Sequence, residues 1–576
     1  MKLVDALRTV KAMQQREGSA LRCGVASGFN PLHLKAFLAA ELSEVFAAQR
    51  IEVSDGLYGD LAGNIERLES GDFDYGFVPI EWPDLDPRLG LRSTARWSGN
   101  ELADILVTAK ARTLRIQEAL DRASRNLTLA VSLPTLPLPP AACTPRWQAG
   151  SFQLGLRAIV QSLGCSVSQS GRLRVLNSEW LDLESPLRDR HDPESELLAG
   201  FPYRLSHAAA LAASFRRLVE RRSPKKGLIT DLDETLWKGI LGEDGVHGVS
   251  WDLEHRSQAH AFYQRFLGAL AGEGVLIAVA SRNDPALVQQ ALGRDDLAVD
   301  PDRIFPVEAN WKDKSGSVER ILQVWNIGAD AVVFVDDNPR ELAEVKAVFP
   351  AIECVQFPPG DTAAVCDMIL DLRDRFGKSA VMEEDAIRLT SIRSSNLLAE
   401  SKSMAAGGLT PEDLGAEIVC DFSKPGADAR PLELVNKTNQ FNLNGRRYTD
   451  AEWSRLLSAP DSFLLTASYR DKFGPLGKVA VLAGVAEGRR LTIHTWVMSC
   501  RAFARHIEYR CMAELLARFD PAEVAFDYAN TERNGPLRDF LTEILGEFPS
   551  PGYSAVRGNL RLPAEIVATP QETVYG

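Results

Sequence analysis

The sequence predicts an α/β protein in which two doubly wound α/β domains are followed by an α+β domain. Short apolar segments typical of buried strands alternate with amphipathic helical segments from about residue 20 to 377. Beyond a Gly-rich break at 406–408, longer strand-like segments joined by a tight turn indicate antiparallel pairing. These changes of pattern predict three domains with the boundaries 1–222, 223–378 and 379–576.

The first domain has five segments with the composition of buried strands, separated by helical patterns, of which the longest covers 101–123. The predicted strands lie within 21–27, 50–56, 74–82, 127–134 and 172–181. A Pro-rich stretch at 134–145 indicates a surface loop, and the basic, Pro-containing stretch at 221–226 marks the junction to the second domain.

The second domain repeats this alternation, with predicted strands within 227–231, 275–281, 303–307, 331–336 and 351–357. A helical connector at 382–401 leads to the third domain. There, strands are predicted within 462–471, 476–485 and 489–499, with a hairpin turn at 486–490, and a helix at 505–519 precedes a last strand at 523–529.

Composition restricts the function classes. The 576 residues include 45% hydrophobic and 25% charged residues, which is ordinary for a globular protein and excludes a mainly disordered or fibrous chain. The net charge of −13 argues against general binding of nucleic acid or of anionic membranes.

The sequence also carries no sign of export or membrane insertion. No apolar run approaches the roughly 18 residues of a membrane helix, and the charged N-terminus lacks the apolar core of a signal peptide. The eight cysteines include no CxxC pair, which argues against a disulfide framework or a zinc knuckle. We therefore expect a cytoplasmic protein with reduced thiols.

Four polar motifs follow predicted strands of the second domain and suggest phosphoryl transfer. Asp231 and Asp233 come directly after the first strand, and Ser281 ends the second. Lys314 opens a helical stretch, and an acidic pair, Asp336 and Asp337, ends a later strand. One aspartate can attack phosphorus while another serves as acid and base, and the acidic pair can complete an oxygen site for Mg²⁺. The alternative is two unrelated acidic strand ends and a structural lysine.

The DxDxT motif followed by Ser, Lys and the Asp-Asp pair resembles the haloacid dehalogenase (HAD) superfamily. The resemblance implies that Asp231 is the nucleophile and Asp233 the general acid/base. It implies that the phosphoryl group is bound by Ser281, Lys314 and Thr235. It also implies that Mg²⁺ is held by Asp231, Asp233 through its backbone carbonyl, and Asp336.

Only 47 residues separate Asp233 from Ser281, and a helix and a strand use most of them. The stretch 237–251 can form a small flap but not a full cap domain. A nearly uncapped site suits a phosphate on a large or tethered substrate.

Longer motifs, at 231–245, 333–341, 436–449, 469–477 and 498–508, resemble the FkbH-like family of glyceryl transferase/phosphatases. The resemblance covers about residues 20–560. It implies a HAD-type phosphatase fused to a GNAT-like acyltransferase domain. It also implies that the protein takes 1,3-bisphosphoglycerate, removes its phosphates and loads a glyceryl unit onto the phosphopantetheine arm of an acyl carrier protein, for polyketide or related biosynthesis.

Interception of an acyl phosphate needs a thiol, and Cys500 is the candidate because it lies between a predicted strand and a helix beside Arg501 and Arg505. A helix N-terminus and nearby arginines favour the thiolate. The alternative is a buried structural cysteine. Cys511, farther along the helix, is expected in the core.

The same segment resembles the cofactor loop of GNAT acyltransferases, although Ala504 stands where FkbH relatives commonly have glycine. We therefore expect the arm of a carrier protein rather than acetyl-coenzyme A. The polar residues predicted to surround the acyl group are Asn439, Gln440, Asn442, Arg501, Arg505, His506 and Glu508. A well-capped loop is the alternative for the asparagines, and an arginine pair is the alternative for Glu508.

The stretch 25–34 in the first domain resembles the first block of SGNH hydrolases, with Ser27 at the nucleophile position. The GDS signature is absent, no DxxH follows, and His207 has a helical context. We therefore expect a non-catalytic SGNH-like domain. For the whole chain, the alternatives to a glyceryl transferase/phosphatase are a stand-alone Mg²⁺-dependent phosphatase and a non-catalytic scaffold for a carrier protein.

Overall fold

The computed structural model divides into two compact units, residues 1–222 with 448–456, and residues 223–447 with 457–576. The structure describes residues 1–16, 19–220, 223–378, 380–382, 385, 387–393, 396, 415–424, 428–472, 474–499, 502–503, 505–549, 551–552, 554–563 and 573–574. Half of the predicted connector at 382–401 and all of the Gly-rich break at 406–408 lie outside these residues.

The first unit contains a sheet of five parallel strands in the order β2-β1-β3-β4-β5. The strands are β1 (Ala20–Val25), β2 (Arg50–Asp55), β3 (Tyr75–Pro79), β4 (Thr128–Ser132) and β5 (Leu173–Val175). The helices are Leu3–Met13, Leu32–Val45, Leu61–Ser70, Trp82–Leu85, Gly99–Ala123, Ser151–Val167, Ser178–Glu184, Pro193–Ala199 and Leu205–Val219, with 3₁₀ turns at Pro87–Leu89 and Leu187–Asp189. The strand order reverses between β1 and β3, as in doubly wound sheets.

The helix Asp450–Ser458 begins in the first unit, although the sequence pattern places it in the third domain. Thr128 donates a hydrogen bond to Asp450 over 2.7 Å, and Arg455 forms ion pairs with Asp72 (2.5 Å) and Asp74 (2.7 Å). These contacts explain why residues 448–456 belong to this unit rather than to the segment around them.

The second unit contains another sheet of five parallel strands, in the order β10-β9-β6-β7-β8. The strands are β6 (Gly227–Thr230), β7 (Leu276–Ser281), β8 (Ile304–Ala309), β9 (Val332–Asp336) and β10 (Glu353–Gln356). The helices are Leu241–Asp244, Gln258–Gly272, Pro285–Leu292, Lys314–Trp325, Pro339–Val348 and Thr362–Phe376, with 3₁₀ turns at Pro301–Arg303 and Ala329–Ala331.

The strands of this sheet are apolar on both faces because helices cover both. Leu228 and Val335 lie in the core on one face, whereas Ile229 and Phe334 lie in the core on the other.

Local signals set the helix starts: Asp284 and Asn338 each accept hydrogen bonds from backbone amides of the following helix, whose first residue is proline. The parallel α/β character predicted from the alternation is confirmed for both sheets.

The second unit also holds a mixed sheet in the order β17-β16-β15-β14-β13-β11-β18, with β12 paired to β15. The strands are β11 (Glu417–Asp421), β12 (Phe441–Asn442), β13 (Ser462–Asp471), β14 (Gly474–Glu487), β15 (Arg490–Met498), β16 (Glu523–Phe526), β17 (Ser554–Val556) and β18 (Thr573–Val574). The remaining helices are Arg430–Lys437, Ile507–Phe519 and Gly535–Leu545, with a 3₁₀ turn at Arg557–Asn559.

The predicted strands β13 to β16 are present, and Gly488 turns the hairpin between β14 and β15 with a φ of 60°. The sequence reading missed β11, β12, β17 and β18. Within the described residues, no helix combines the length and the apolar composition needed to cross a membrane.

Candidate active site

The predicted phosphoryl-transfer residues meet at one edge of the second sheet. Asp231 directly follows β6, and its amide donates to Val335 O of β9 over 2.9 Å, which extends the pairing of these strands by one residue. Ser281 ends β7, Asp336 ends β9, and Lys314 is the first residue of the helix after β8. The strand order reverses where β6 lies between β9 and β7, which is where open α/β sheets bind ligands.

Lys314 joins the two buried aspartates. Its Nζ lies 2.8 Å from Oδ2 of Asp231 and 2.5 Å from Oδ2 of Asp336. All three residues are buried, and Asp336 is completely so. Burial disfavours the ammonium, but the charges of Asp231 and Asp336 outweigh this effect and raise the pKa of Lys314. Lys314 is therefore held as a cation inside the site.

The acidic groups carry more negative charge than this lysine balances. Burial, reinforced by the charge of Asp231, raises the pKa of Asp336 to about 7 and also raises the pKa of Asp337. Carboxylate oxygens of Asp231, Asp336 and Asp337 all lie within 4.8 Å of one another. With all three carboxyls ionised, the carboxylates and the ammonium would leave a net charge of −2, which a divalent cation would neutralise.

One atom supports the cation site directly. Oδ1 of Asp231 is buried and has no hydrogen-bond partner among the residues that the structure describes. A buried carboxylate oxygen is normally satisfied, so this oxygen is available to a ligand. Hard oxygen donors in this number are what Mg²⁺ binds, and the residues present therefore fit it. The side chain of Asp337 joins this group, whereas the predicted contribution of Asp233, through its backbone carbonyl, stays a prediction.

Asp233 has a different environment from Asp231. Its Oδ1 accepts hydrogen bonds from Trp237 Nε1 (2.9 Å) and Leu241 N (3.1 Å), and its Oδ2 accepts one from Asn283 Nδ2 (3.0 Å). Burial raises the pKa of this carboxyl in spite of the three donors. The three donors therefore fix the orientation of this carboxyl, and burial makes its protonated form more accessible than in a free aspartic acid.

The predicted phosphate-binding hydroxyls are both buried in the site. Asn283 donates from the same amide to Ser281 Oγ over 3.2 Å, so it links this serine to Asp233. Thr235 Oγ1 accepts from Asp337 N over 3.1 Å and lies 3.5 Å from Asp337 Oδ1. Thr235 thus positions the second aspartate of the acidic pair, a contact that the predicted phosphate-binding role did not include.

The segment predicted as a flap is short and internally bonded. Lys238 and Ser250 exchange two backbone hydrogen bonds of 2.9 and 3.0 Å, and the helix Leu241–Asp244 lies between them. Glu234, in the left-handed region with a φ of 53°, accepts from Gly239 N over 2.7 Å. A non-glycine residue in this conformation is strained, and such residues concentrate at functional sites.

The sequence reading missed several residues around this site. Asn283 lies two positions after Ser281 but is not part of any motif in the prediction. Arg282 forms ion pairs with Asp313, Glu341 and Glu344 over 3.2–3.3 Å. No local pattern marks these contacts, because they join residues from separate segments of the chain.

The loop after the helix Arg430–Lys437 supplies three predicted acyl-site residues. Asn442 is buried; its Nδ2 donates to Thr438 O (2.9 Å), and its Oδ1 accepts from Asn444 N (3.2 Å) and Gly445 N (2.8 Å). This side chain serves the loop itself, so the prediction of a ligand contact at Asn442 is not supported. Asn439 and Gln440 are exposed, and Asn439 Oδ1 accepts from Arg447 over 2.5 Å.

The same loop occupies the opening beside the last half of β15. β15 pairs with β16 only over 490–493, and beyond that point residues 441–444 lie between the two chains. Leu443 N donates to Trp496 O (2.9 Å) and Leu443 O accepts from Ala529 N (3.1 Å). The protein's own backbone therefore completes the hydrogen bonding of this part of β15.

The remaining predicted acyl-site residues surround the start of the helix Ile507–Phe519. Arg505 Nε lies 3.7 Å from Asp471 Oδ2, and its guanidinium lies over the Tyr469 ring at 5.3 Å. His506 is exposed in the left-handed region at the helix start, with a φ of 58°. Cys500, Arg501 and Ala504 lie outside the described residues, so the predicted thiol and its nearest arginine stay predictions.

Glu508 is the most unusual group of this region. Its Oε2 is buried without a hydrogen-bond partner among the described residues, and burial, with the charge of Glu543, raises its pKa to about 7. None of the ion pairs found in the described part of the chain involves Glu508, so the alternative of an arginine pair is not supported there. Cys511 is buried, as expected, and its thiol is free; a hydrogen bond with Cys420, together with burial, raises the pKa of this thiol.

Ser27 and His207, the two residues considered for the N-terminal domain, are bonded to different partners. Ser27 is buried, and its Oγ donates to Phe29 O over 2.8 Å. Both ring nitrogens of His207 are engaged elsewhere, with Thr135 Oγ1 at 3.0 Å and Ser185 Oγ at 2.9 Å. Both nitrogens of His207 are therefore bonded to residues other than Ser27, and the non-catalytic role of this domain stays a prediction.

Comparisons with known proteins find only distant similarity to solved structures. No protein-family model matches the sequence, and no curated protein matches it. The solved N-terminal part of protein BF1531 from Bacteroides fragilis, which contains a phosphatase domain complexed with Mg, is 18% identical and has a TM-score of 0.49, covering 66% of this chain and 100% of that chain. An uncharacterized protein from Corynebacterium glutamicum ATCC 13032 Kitasato is 20% identical with a TM-score of 0.19, covering 27% of this chain and 98% of that chain. TM-scores below 0.5 decide neither fold nor function, which rest on the geometry above.

Proposed function

We propose that this protein is a Mg²⁺-dependent phosphohydrolase whose site lies at the carboxyl edge of the second sheet. The observation that supports this proposal is the cluster of Asp231, Asp336 and Asp337 around Lys314, with Oδ1 of Asp231 free of hydrogen bonds among the described residues. When bound there, Mg²⁺ would neutralise charge on the carboxylates and on the phosphoryl oxygens.

The protein groups divide the reaction into two steps. Asp231 attacks phosphorus through a carboxylate oxygen, the bond from phosphorus to the substrate oxygen breaks, and Asp233 gives its proton to that leaving oxygen. Asp233 then takes a proton from water, which attacks the phosphorus on Asp231 and releases inorganic phosphate. Lys314 supplies a fixed positive charge at the phosphoryl oxygens, and Ser281 supplies a hydroxyl.

The test compares Asp231→Asn with Asp371→Asn, whose side chain is exposed on the helix Thr362–Phe376. Both variants are assayed for phosphate release from p-nitrophenyl phosphate and from an alkyl phosphate, with Mg²⁺ or with chelator. We expect only Asp231→Asn to lose activity. Phosphate release by Asp231→Asn at the wild-type rate would refute the assignment of Asp231 as the nucleophile.

For the finer function we propose a glyceryl transferase/phosphatase, on the basis of the resemblance to FkbH-like proteins. The Cys500 thiolate would attack C1 of 1,3-bisphosphoglycerate and release phosphate, and the pantetheine thiol of an acyl carrier protein would then take the acyl group. The phosphate ester at C3 would be hydrolysed at Asp231. The described feature that favours a second reactive site is Glu508, whose buried oxygen has no partner among the described residues.

This finer proposal is tested by intact-mass spectrometry of a carrier protein incubated with the enzyme, Mg²⁺ and 1,3-bisphosphoglycerate. A glyceryl mass on the carrier with wild type, and its loss with Cys500→Ala but not with Cys511→Ala, is the expected result. Phosphate release without any carrier loading would support the alternative of a stand-alone phosphatase. If the protein binds the carrier but shows neither phosphate release nor carrier loading, the result would support the non-catalytic scaffold.

A further inference from the structure

A second, unassigned cavity lies at the carboxyl ends of the strands in the first sheet. It has a volume of about 820 Å³, which falls in the range of small-molecule sites. Its floor includes residues that follow β1, β2 and β3, namely Gly28, Gly59 and Glu81, and Leu136 after β4 closes it. Because the strand order reverses between β1 and β3, this is the position at which doubly wound sheets bind ligands.

The walls are mainly apolar and partly aromatic. Trp82 is buried and donates through Nε1 to Leu136 O over 2.7 Å, which fixes its ring as one wall. At the mouth, Tyr58, Leu91 and Trp97 are 58%, 47% and 41% exposed. Large apolar groups left in water around a cavity indicate that a ligand with an apolar body covers them.

Three arginines line the same cavity: Arg92, Arg112 and Arg115. None of them forms an ion pair with a carboxylate of the described residues. Arg92 donates to Tyr58 OH over 2.8 Å, and Arg112 makes a 3.3 Å contact with the backbone oxygen of Asp84. Arg112 and Arg115 are one helical turn apart on Gly99–Ala123, so both reach the same region of the cavity.

The acidic residues of the lining are used by the protein itself. Glu81 accepts from Thr135, Leu136 and Tyr203, and Asp84 accepts from Glu81 N over 2.8 Å. Glu196 is bonded to His191 Nε2 at 2.6 Å, and Asp60 caps the helix Leu61–Ser70. The arginines are therefore the cationic groups of the lining that form no ion pair among the described residues, although the charge of Arg112 also acts on the Asp84 carboxyl.

Gly28 lies directly against the Asp84 side chain. A Cβ at Gly28 would lie 1.7 Å from Asp84 Oδ1, so a larger residue there would displace this carboxyl. Ser27 does not line the cavity, and its hydroxyl is bonded to Phe29 O. The cavity therefore has the features of a binding site without a serine nucleophile.

We propose that this cavity binds an amphipathic organic anion, with its phosphate or carboxylate head on Arg112 and Arg115 and its apolar body against Trp82 and Trp97. The site is separate from the phosphohydrolase residues and does not depend on the function proposed for them. Charge-assisted hydrogen bonds from arginine to such a head are strong and specific, and desolvation of the aromatic walls adds affinity for the body.

The experiment is calorimetric titration of the full-length protein with four eight-carbon probes: octyl phosphate, octanoate, octanol and octyltrimethylammonium. We expect the two anions to bind with one-to-one stoichiometry and the neutral and cationic probes to bind much more weakly. The tighter of the two anions identifies the head group. Equal binding of all four probes, or no binding of either anion, would overturn the proposal.

Variants of the lining residues distinguish binding of the anionic head from binding of the apolar body. Arg112→Gln with Arg115→Gln should raise the Kd of the anions at least about tenfold, or about 1.4 kcal/mol, because charge-assisted hydrogen bonds to the head group are lost. Lys110→Gln, exposed on the same helix but outside the cavity, should bind like wild type. Trp97→Ala should weaken binding of the anions while leaving their preference over octanol unchanged. Unaltered affinity in the double arginine variant, with a circular dichroism spectrum and melting temperature like those of wild type as the folding control, would refute the assignment.

Discussion

The ammonium of Lys314 lies 2.8 Å from Oδ2 of Asp231, inside a site from which water is largely excluded. The same nitrogen contacts Asp336, so one lysine holds the two carboxylates that would otherwise repel each other. A buried charge that loses its partner costs far more than a surface pair contributes. This contact links the stability of the second sheet to its chemistry.

Lys314→Met should therefore lose both activity and stability. We expect phosphate release to fall at least about a hundredfold, as for other groups that stabilise transition-state charge, and the free energy of unfolding without Mg²⁺ to fall by about 3 kcal/mol. Thermal unfolding and p-nitrophenyl phosphate hydrolysis measure the two effects. Lys312→Met, exposed two residues earlier, should keep wild-type stability. If Lys314→Met had the melting temperature of wild type, the predicted role of Lys314 in stability would be contradicted.

Mg²⁺ should stabilise the folded protein, because the carboxylate cluster exists only in the folded state. At a concentration of 100 times its Kd the ion should add about 2.7 kcal/mol, which is visible as a rise in melting temperature. Asp336→Asn removes one charged ligand atom and should abolish most of this rise. Asp300→Asn, which changes an exposed aspartate at the cap of a 3₁₀ turn, is the matched control. An equal Mg²⁺ response in both variants would argue against the assigned ligands.

Asp233→Asn should affect substrates according to their leaving groups. The role of Asp233 is to protonate the leaving oxygen, and a nitrophenolate leaves without that help. We expect hydrolysis of an alkyl phosphate to fall about 10²–10⁴-fold, with a much smaller loss for p-nitrophenyl phosphate in the first step. Pre-steady-state release of nitrophenolate isolates that step. Equal losses for the two substrates would indicate that Asp233 acts in some way other than proton donation.

Part of this architecture could be predicted from local sequence. The apolar β6, β7 and β9 and the polar residues that end them are contiguous in sequence, so their placement at one sheet edge follows from parallel pairing. Asp284 and Asn338 mark helix starts in the same local way.

Other features arise only from distant contacts. The two residues of β12 form a strand only because β15 offers an unpaired edge, and no pattern of two residues predicts that. Asn283 bridges Ser281 and Asp233 through tertiary structure alone. The helix Asp450–Ser458 joins the first unit through ion pairs with Asp72 and Asp74, which are hundreds of positions away. The arginine-lined cavity is likewise assembled from segments whose sequences show no shared motif.

The last prediction concerns His207, whose buried imidazole should make the first unit sensitive to acid. Thr135 Oγ1 donates to Glu81 over 2.5 Å, so His207 Nε2 donates to Thr135 and Nδ1 accepts from Ser185. Burial, with the nearby charge of Arg190, lowers the pKa of His207 from 6.5 to about 3.

A lowered pKa in the folded state means that the neutral imidazole contributes stability above the unfolded pKa of about 6.5. That contribution is lost as the pH falls from there toward 3. Between pH 7 and pH 5 the loss should be about 2 kcal/mol. Burial raises the pKa of Glu81 to about 7, so this carboxyl acts in the opposite direction, gaining stability as the pH falls from 7.

Comparison with His207→Gln isolates the histidine, because Glu81 is present in both proteins. Hydrogen exchange in peptides from the helix Leu205–Val219 should accelerate in wild type between pH 7 and pH 5, after correction for the intrinsic rate, and should accelerate much less in the variant. Peptides from the helix Gly535–Leu545, in the other unit, should show the same pH dependence in both proteins. If wild type and His207→Gln lose protection in parallel as the pH falls, the imidazole is not the group that responds to acid.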